Sequence, residues 1–275
     1  MTSEEFRRCA VLGSPITHSL SPVLHRAAYA ELGLGWEYGA HEVTEDTLGS
    51  FLDGLGPEWR GLSLTMPLKR AVVPMLDERS ETVELSGAAN TVLLEDGRRK
   101  GHNTDVAGAV AALTERHDGP WRSAIVLGGG ATATSVLLAL AELGCTHAVL
   151  VVRDPARARE TLDAVARHPK APVVTVHAFG EELEAADVLV STIPAGAHDD
   201  WVLSLVLQVG VVFDVVYDPW PTPLADGAEA GEVPLVTGLD LLVHQAVLQV
   251  ELMTGRRPSV AALREAGERA LAARA

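Results

Sequence analysis

The chain has 275 residues, 47% of them hydrophobic and 21% charged, enough apolar material for one large or two ordinary domains with a sizeable core. A formal net charge of −15 excludes nucleic acid or an anionic membrane as the main partner, because a phosphate backbone needs a basic surface; an anionic small ligand fits only where cations gather locally. Two cysteines in unlike contexts, Cys9 and Cys145, exclude a disulfide framework and suit a reducing cytoplasm, the start MTSEEFRR does not read as a signal peptide, and no apolar run approaches the ~20 residues of a membrane helix.

Short β-like runs alternate with helical patterns along nearly the whole length, which predicts an α/β protein. Residues 9–12 predict a first strand. Ser21 and Pro22 then open a helix, the serine as N-cap and the proline at the first helical position, with Val23, Ala27 and Ala30 at helical spacing and Gly33 as the stop. Residues 36–43 predict a second strand, 44–55 a second helix and 61–65 a third strand; 91–94, the Asp96-Gly97 turn and the return through Lys100 predict a hairpin. Residues 123–127 then predict a buried strand, followed by Gly128-Gly129-Gly130 and a helix over 131–143 that Gly144 ends. A strand at 148–152, a helix at 155–167 and strands at 172–177, 188–192 and 210–216 follow, and from Gly238 the pattern is helical to the end. This order places a dinucleotide-binding domain over residues 106–237, between a first domain of residues 1–105 and C-terminal helices, 238–275, that return to the first domain and make it discontinuous.

Gly128-x-Gly130-x-x-Ala133 fits G-x-G-x-x-G/A directly after a strand and before a helix. The first glycine permits a tight turn and the second lets the backbone approach a pyrophosphate. The small third residue lets the helix pack closely, with its N-terminus facing the anion. A ribose belongs at the end of the next strand, in VLVVRDPARARE. Asp154 there is explained as an N-cap before Pro155. Arg153 at the strand tip and Arg157 a turn into the helix remain as local positive charge in an acidic chain. A guanidinium matches a phosphate dianion by bidentate geometry, which points to the 2′-phosphate of NADP.

Four pieces of the first half offer polar groups. GSPITHSLSPVLHRAAY puts Ser19 and Ser21 around a helix start, where two hydroxyls and free backbone amides suit a carboxylate. GLSLTMPLKRA closes an apolar strand at Thr65, breaks at Pro67 and presents Lys69 just beyond, toward a cleft between domains. GAANTV places Asn90 at a strand start, and GHNTDVAG places Asp105 at the head of a helix. Singly, each has a plain structural explanation: a cap, a solvated lysine, a turn asparagine. Jointly they supply a cation, a carboxylate, hydroxyls and an amide beside a nucleotide domain. An ammonium within hydrogen-bond reach of a ketone oxygen stabilises the charge that develops during reduction and can deliver the proton. The ten histidines are scattered, with neither H-E-x-x-H nor C-x-x-C, so no metal site is predicted.

Seven pieces in order resemble the shikimate dehydrogenase family over essentially the whole chain: Ser19-Leu20-Ser21-Pro22, Leu64-Thr65-Met66-Pro67-Leu68-Lys69, Gly87-Ala88-Ala89-Asn90-Thr91, Asn103-Thr104-Asp105, the 128–133 loop, Asp214-Val215-Val216-Tyr217-Asp218-Pro219 through Thr222-Pro223-Leu224, and Gln245-Ala246. The resemblance implies a Rossmann-like NADP-binding domain with a discontinuous α/β substrate domain. It implies the NADP-dependent, reversible reduction of 3-dehydroshikimate to shikimate in chorismate and aromatic amino-acid biosynthesis. Ser19 and Ser21 would then hold the substrate carboxylate, with Tyr217 close by. Thr65, Lys69, Asn90, Asp105 and Gln245 would contact the ring hydroxyls and the reacting oxygen, Lys69 and Asp105 forming the acid/base pair. Gly128, Gly129, Gly130, Ala131, Arg153, Arg157, Thr192, Val216 and Gly238 would line the cofactor.

The chain departs from the family pattern in places. Arg26 stands where the family often has asparagine, and the loop reads GGGATAT where GAGGAAR is common. Thr134 therefore occupies a position where an arginine often helps with the 2′-phosphate. Ser21, which members acting on quinate often replace with threonine, favours shikimate. The alternatives are a quinate/shikimate or aminoshikimate dehydrogenase and a non-catalytic module sensing NADPH or shikimate, although a sensor should have lost the Lys69 and Asp105 pair. The expected partners are small molecules, with no nucleic acid and no membrane, and the chain acts as a monomer or homodimer.

Overall fold

The computed structural model describes residues 6–274, and of Arg157 only the backbone. The chain divides into two compact units, one built from the residues up to Thr104 together with those from Leu242 on, the other from Asp105–Leu241.

In the first unit, β1 (Arg8–Gly13), α1 (Ser21–Leu32), β2 (Glu37–Glu42), α2 (Glu45–Asp53) and β3 (Trp59–Leu64) wind as successive parallel units, with β1 between β2 and β3. Strand β1 is buried at five of its six positions. Helices cover both faces of such a strand, which explains the unbroken apolar run CAVLG. The short α3 (Leu68–Ala71), β4 (Glu78–Arg79) and α4 (Glu81–Ser86) lead into the hairpin of β5 (Thr91–Glu95) and β6 (Arg98–His102). The hairpin joins β3 antiparallel and completes the order β2-β1-β3-β5-β6-β4. It turns at Asp96 and Gly97, whose φ angles of 53° and 73° are the left-handed pair that a type I′ turn demands. Leu48, Leu62, Leu64, Leu68, Val83 and Val92 form the core on one face.

The second unit starts with α5 (Asp105–Arg116). It continues through β7 (Ser123–Leu127), α6 (Ala131–Glu142), β8 (His147–Val151), α7 (Arg159–Ala166), β9 (Val173–His177), β10 (Ala186–Ser191), α8 (Asp200–Ser204), β11 (Val209–Asp214), α9 (Pro223–Ala230) and β12 (Leu235–Thr237). All six strands run parallel in the order β12-β11-β10-β7-β8-β9. The chain therefore winds outward from β7 in one direction and, after β9, returns to wind outward in the other. The switch point lies between β7 and β10, and ligands of such sheets bind there, beyond the strand C-termini.

Two helices follow, α10 (Gly238–Thr254) and α11 (Val260–Ala272). Within the first unit α11 packs on α1, and Ser259, its N-cap, donates its N–H to the Glu31 carboxylate at the end of α1 (3.1 Å). Helix α10 lies so close to β3 that a Cβ on Gly61 would sit 2.8 Å from the Met253 side chain.

Several expectations are corrected. Leu20, not Ser21, is the N-cap of α1, so Ser21 and Pro22 are the first two helical residues. The predicted helix over 155–167 is a 3-10 turn (Pro155–Ala158) followed by α7, because Asp154 caps the turn through Ala156 N (2.9 Å) and the α-helix proper starts later. Strands β4 and β12, two and three residues long, are too short for any period to register. Cys9 and Cys145 are both buried, and burial pushes each thiol up to about 11, so neither is a thiolate near neutral pH. Among the described residues no helix is long and apolar enough to cross a membrane.

Candidate active site

In the first unit the site residues gather beyond the C-terminal end of β3. Thr65 N donates to Leu12 O (2.9 Å) and Leu64 N to Asn90 O (2.8 Å), which seats the strand end between β1 and the start of β5. Gly13 permits the close crossing, since a Cβ there would run into the Thr65 side chain and stand 2.9 Å from the Met66 carbonyl. Pro67 precedes α3, Leu68 is fully buried in the core, and Lys69 follows half-buried. The Lys69 carbonyl accepts a bond from Ala89 N (2.7 Å), so α3 is tied to the corner that carries Asn90.

Asn90, 1% exposed, is the hub of a buried cluster. Its Oδ1 accepts bonds from Thr104 N (2.8 Å) and Thr91 Oγ1 (2.9 Å). Its Nδ2 donates to Thr104 Oγ1 (2.8 Å) and to Gln245 Oε1 (3.2 Å). Gln245 Nε2 in turn donates to Leu242 O (2.8 Å). A backbone N–H can only donate and a carbonyl only accept, so these anchors fix which way both amides face. The fold thus brings Asn90 and Gln245 together from positions 155 residues apart. Ser19 and Ser21 are bonded to each other instead, Ser21 N donating to Ser19 Oγ (3.3 Å). The amides expected to be free there are engaged: Ser19 N reaches Ile16 O (3.0 Å), and Val23 N and Leu24 N both reach Leu20 O. A separate groove of about 1000 Å³ in this unit is lined by Trp36, Trp59, Arg60 and Met253, and none of the candidate residues borders it.

In the second unit, Asp105 is the first residue of α5, one peptide beyond Thr104. At the switch point Gly128 has φ 102°, and a Cβ on it would collide with Thr192 Oγ1. Thr192 closes the end of β7 by donating both its N–H (3.0 Å) and its hydroxyl (2.8 Å) to Leu127 O. Gly130 is the exposed N-cap of α6 with open space around it, and Ala131 starts the helix. Beneath the loop, Thr161 Oγ1 donates to Gly129 O (2.9 Å) and lies 2.8 Å from Thr134 Oγ1, which also contacts Gly130 O (3.2 Å). Thr134 is fully buried, so it clamps the loop from below rather than facing an incoming phosphate. Arg153 stands exposed after β8, and the side chain of Arg157 lies outside the described residues.

Val216 and Tyr217 sit half-buried in the loop after β11. The fully buried Asp214 shapes that loop by accepting bonds from Thr222 Oγ1 (2.6 Å) and Val216 N (3.2 Å). Burial pushes the Asp214 carboxyl above the ordinary carboxylate range, against the pull of those two bonds. Gly238 meets the same loop: a Cβ there would strike the Val215 carbonyl. The sequence shows Thr104 within Asn103-Thr104-Asp105 without giving it a role, and does not single out Thr161 or Gln249. Gln249 stands four residues after Gln245, on the same helical face, but its partners lie far off in sequence.

A glycine loop opening at the switch point of a parallel sheet, joined in one chain to a second α/β unit with a buried polar cluster, is the architecture of two-unit α/β proteins of the dinucleotide-binding class. Comparison with known proteins narrows the class. The model of the shikimate dehydrogenase substrate binding domain matches residues 11–92, and that of the shikimate 5′-dehydrogenase C-terminal domain matches 238–266. The NADP(+) shikimate dehydrogenase of Moorella thermoacetica is 36% identical over 92% of this chain and 90% of its own. Among solved structures, Mycobacterium tuberculosis shikimate dehydrogenase superposes with a TM-score of 0.85 at 38% identity, covering 97% of this chain and 99% of that one. Thermus thermophilus shikimate 5-dehydrogenase in complex with NADP(H) and shikimate gives a TM-score of 0.80 at 32% identity, covering 96% and 100%. The chain belongs to the shikimate dehydrogenase family.

Proposed function

We propose that this protein catalyses the NADP-dependent, reversible reduction of 3-dehydroshikimate to shikimate, with substrate bound by the unit that carries Asn90 and cofactor by the unit that carries the glycine loop. The observation that carries this reading is the buried Asn90–Thr104–Gln245 cluster, tied through Ala89 to the backbone of Lys69. Oriented amides and hydroxyls in a fixed pattern suit a polyhydroxylated ring, whose hydroxyls would take over bonds that Asn90, Thr104 and Gln245 make to one another here. Ser19 and Ser21 hold the carboxylate at the start of α1, with Tyr217 contributing. Thr65 contacts a ring hydroxyl.

The second unit fits a dinucleotide. Gly128 cannot carry a Cβ, Gly130 leaves the backbone open, and the start of α6 offers its dipole to an anion. Gly128, Gly129, Gly130, Ala131, Thr192, Val216 and Gly238 would line it, and Arg153 and Arg157 would hold the 2′-phosphate. When bound, NADPH supplies the hydride. Lys69 stabilises the negative charge that grows on the ketone oxygen and, with Asp105, exchanges the proton at that oxygen. Such an enzyme works in the cytoplasm on small molecules alone.

The test is initial velocity with shikimate and with quinate, each with NADP⁺ and NAD⁺. Strong turnover confined to shikimate with NADP⁺ is expected. Comparable rates with quinate or NAD⁺ would move the protein to a relaxed branch of the family. Absence of turnover in all four, from folded protein that binds NADP⁺, would overturn the reading in favour of a sensor.

A further inference from the structure

Gln249 lies one helical turn beyond Gln245 on α10 and is 1% exposed. Its Nε2 donates to Asn90 O (3.0 Å) and to Thr91 Oγ1 (2.9 Å). Its Oε1 accepts a bond from Ser63 Oγ (2.8 Å) and faces His25 Nε2 (3.2 Å). A carboxamide has two N–H donors and two acceptor lone pairs, and here all four are used. Its four partners are the Asn90 backbone carbonyl and the buried side chains of Thr91, Ser63 and His25, none of them a proposed substrate contact.

The direction of every bond follows. Asn90 O accepts only, so the nitrogen of Gln249 faces β5. Thr91 receives one of its protons and therefore gives its own to Asn90 Oδ1 (2.9 Å). Tyr38 OH donates to Ser63 Oγ (2.6 Å), which passes its proton to Gln249 Oε1. His25, fully buried and stacked on Tyr38 (ring centroids 3.9 Å apart), completes the set by donating from Nε2. One chain of oriented bonds thus runs from α1, β2 and β3 through Gln249 to Asn90 and Gln245.

We infer that Gln249 is a positioning residue for the substrate site: it locks the register of α10 against β5 and so sets Gln245 against Asn90, while touching no ligand itself. This rests on the proposed function. Displacement by 1 Å of groups that orient a substrate can cost on the order of 10²-fold in rate.

The experiment is a double-mutant cycle on the full chain, with thermal unfolding recorded for each variant. Gln249→Met is expected to lower kcat/KM for shikimate about tenfold or more, mainly through KM, with the KM for NADP⁺ within about twofold of wild type. In a Gln245→Ala background the same change should cost less than about threefold, because the group it positions is gone. Gln249→Glu keeps the volume but, ionised, loses both donors and sets an acceptor against Asn90 O, and should show a loss at least as large. If Gln249→Met does not fold, the cycle with Gln249→Glu decides. An unchanged KM for shikimate, or losses that multiply fully with Gln245→Ala, would overturn the inference. Wild-type turnover of shikimate with NADP⁺ separates the two levels: its absence overturns the proposed function and this inference with it, whereas its presence beside an unaffected Gln249→Met overturns this inference alone.

Discussion

His25 is enclosed by Tyr29, Tyr38 and Gln249, and its Nδ1 has no hydrogen-bond partner. Burial lowers its pKa from the ordinary 6.5 to about 3, against a smaller pull from Gln249. The folded state therefore keeps the ring neutral while the unfolded chain takes up a proton. The stability this contributes is complete above pH 6.5 and drains away as pH falls from there toward 3, at about 1.4 kcal/mol per pH unit. Urea unfolding of wild type and His25→Asn at pH values of about 6.5, 5.5 and 4.5 should show a shallower decline in the variant; parallel declines would mean that another group titrates. The proposed function gives Lys69 a part in the chemistry rather than the core. Lys69→Ala should lose about 10²–10⁴-fold in kcat with NADP⁺ affinity retained, measured by steady-state kinetics and cofactor titration. Unimpaired turnover would return Lys69 to the role of a surface lysine.

Among the elements, the glycine loop makes the sharpest contrast, because two of its glycines are glycines for different reasons. Gly128 combines φ 102° with a collision at Thr192, so Gly128→Ala should cost about 2 kcal/mol or more of stability as well as NADP⁺ affinity. Gly130 has φ −86°, ψ −176° and open space, a backbone that any residue adopts. Gly130→Ala should leave stability within about 0.5 kcal/mol and weaken NADP⁺ alone. Urea unfolding beside NADP⁺ titration reads both effects, and an unweakened Gly130→Ala would mean that no pyrophosphate approaches there.

The same loop shows what was legible in advance. Strand β7 was read at its true limits, because an apolar run stopped by glycine has one interpretation. Ser21 was misread because Ser-Pro fits both a cap followed by a first residue and two helical residues, and only the backbone angles at Leu20 separate them. Asn90 stands out in the sequence as a polar residue at a strand start, whereas Gln245 is named through the resemblance alone. Gln249 escaped because what makes it distinctive is a partner 159 positions away, to which no local pattern points. Thr134 draws notice in the sequence only for the arginine it replaces, because its burial against Thr161 depends on α7 packing beneath the loop.

At the scale of the whole molecule, the two units differ in how the chain builds them. The second is one continuous stretch, Asp105–Leu241, with its own core of Ile125, Leu127, Leu189 and Val212. Expressed alone it should unfold cooperatively in urea and bind NADP⁺. Residues 1–104 expressed alone should not, because Ser63 and Thr91 lose Gln249 and leave buried polar groups unpaired. Adding 242–275 as a separate peptide should restore a cooperative transition. A cooperative transition from 1–104 by itself would show that α10 and α11 are dispensable to that core.

That discontinuity also sets a schedule. At roughly 5–20 residues per second, the polypeptide that makes β3 and β5 leaves the ribosome on the order of ten to thirty seconds before α10, which packs on them through Gln249 and Met253. Throughout that interval an apolar sheet face stands uncovered in the same chain as a unit that can already fold. The nascent chain, more than the finished protein, is therefore the form that a chaperone has to shield.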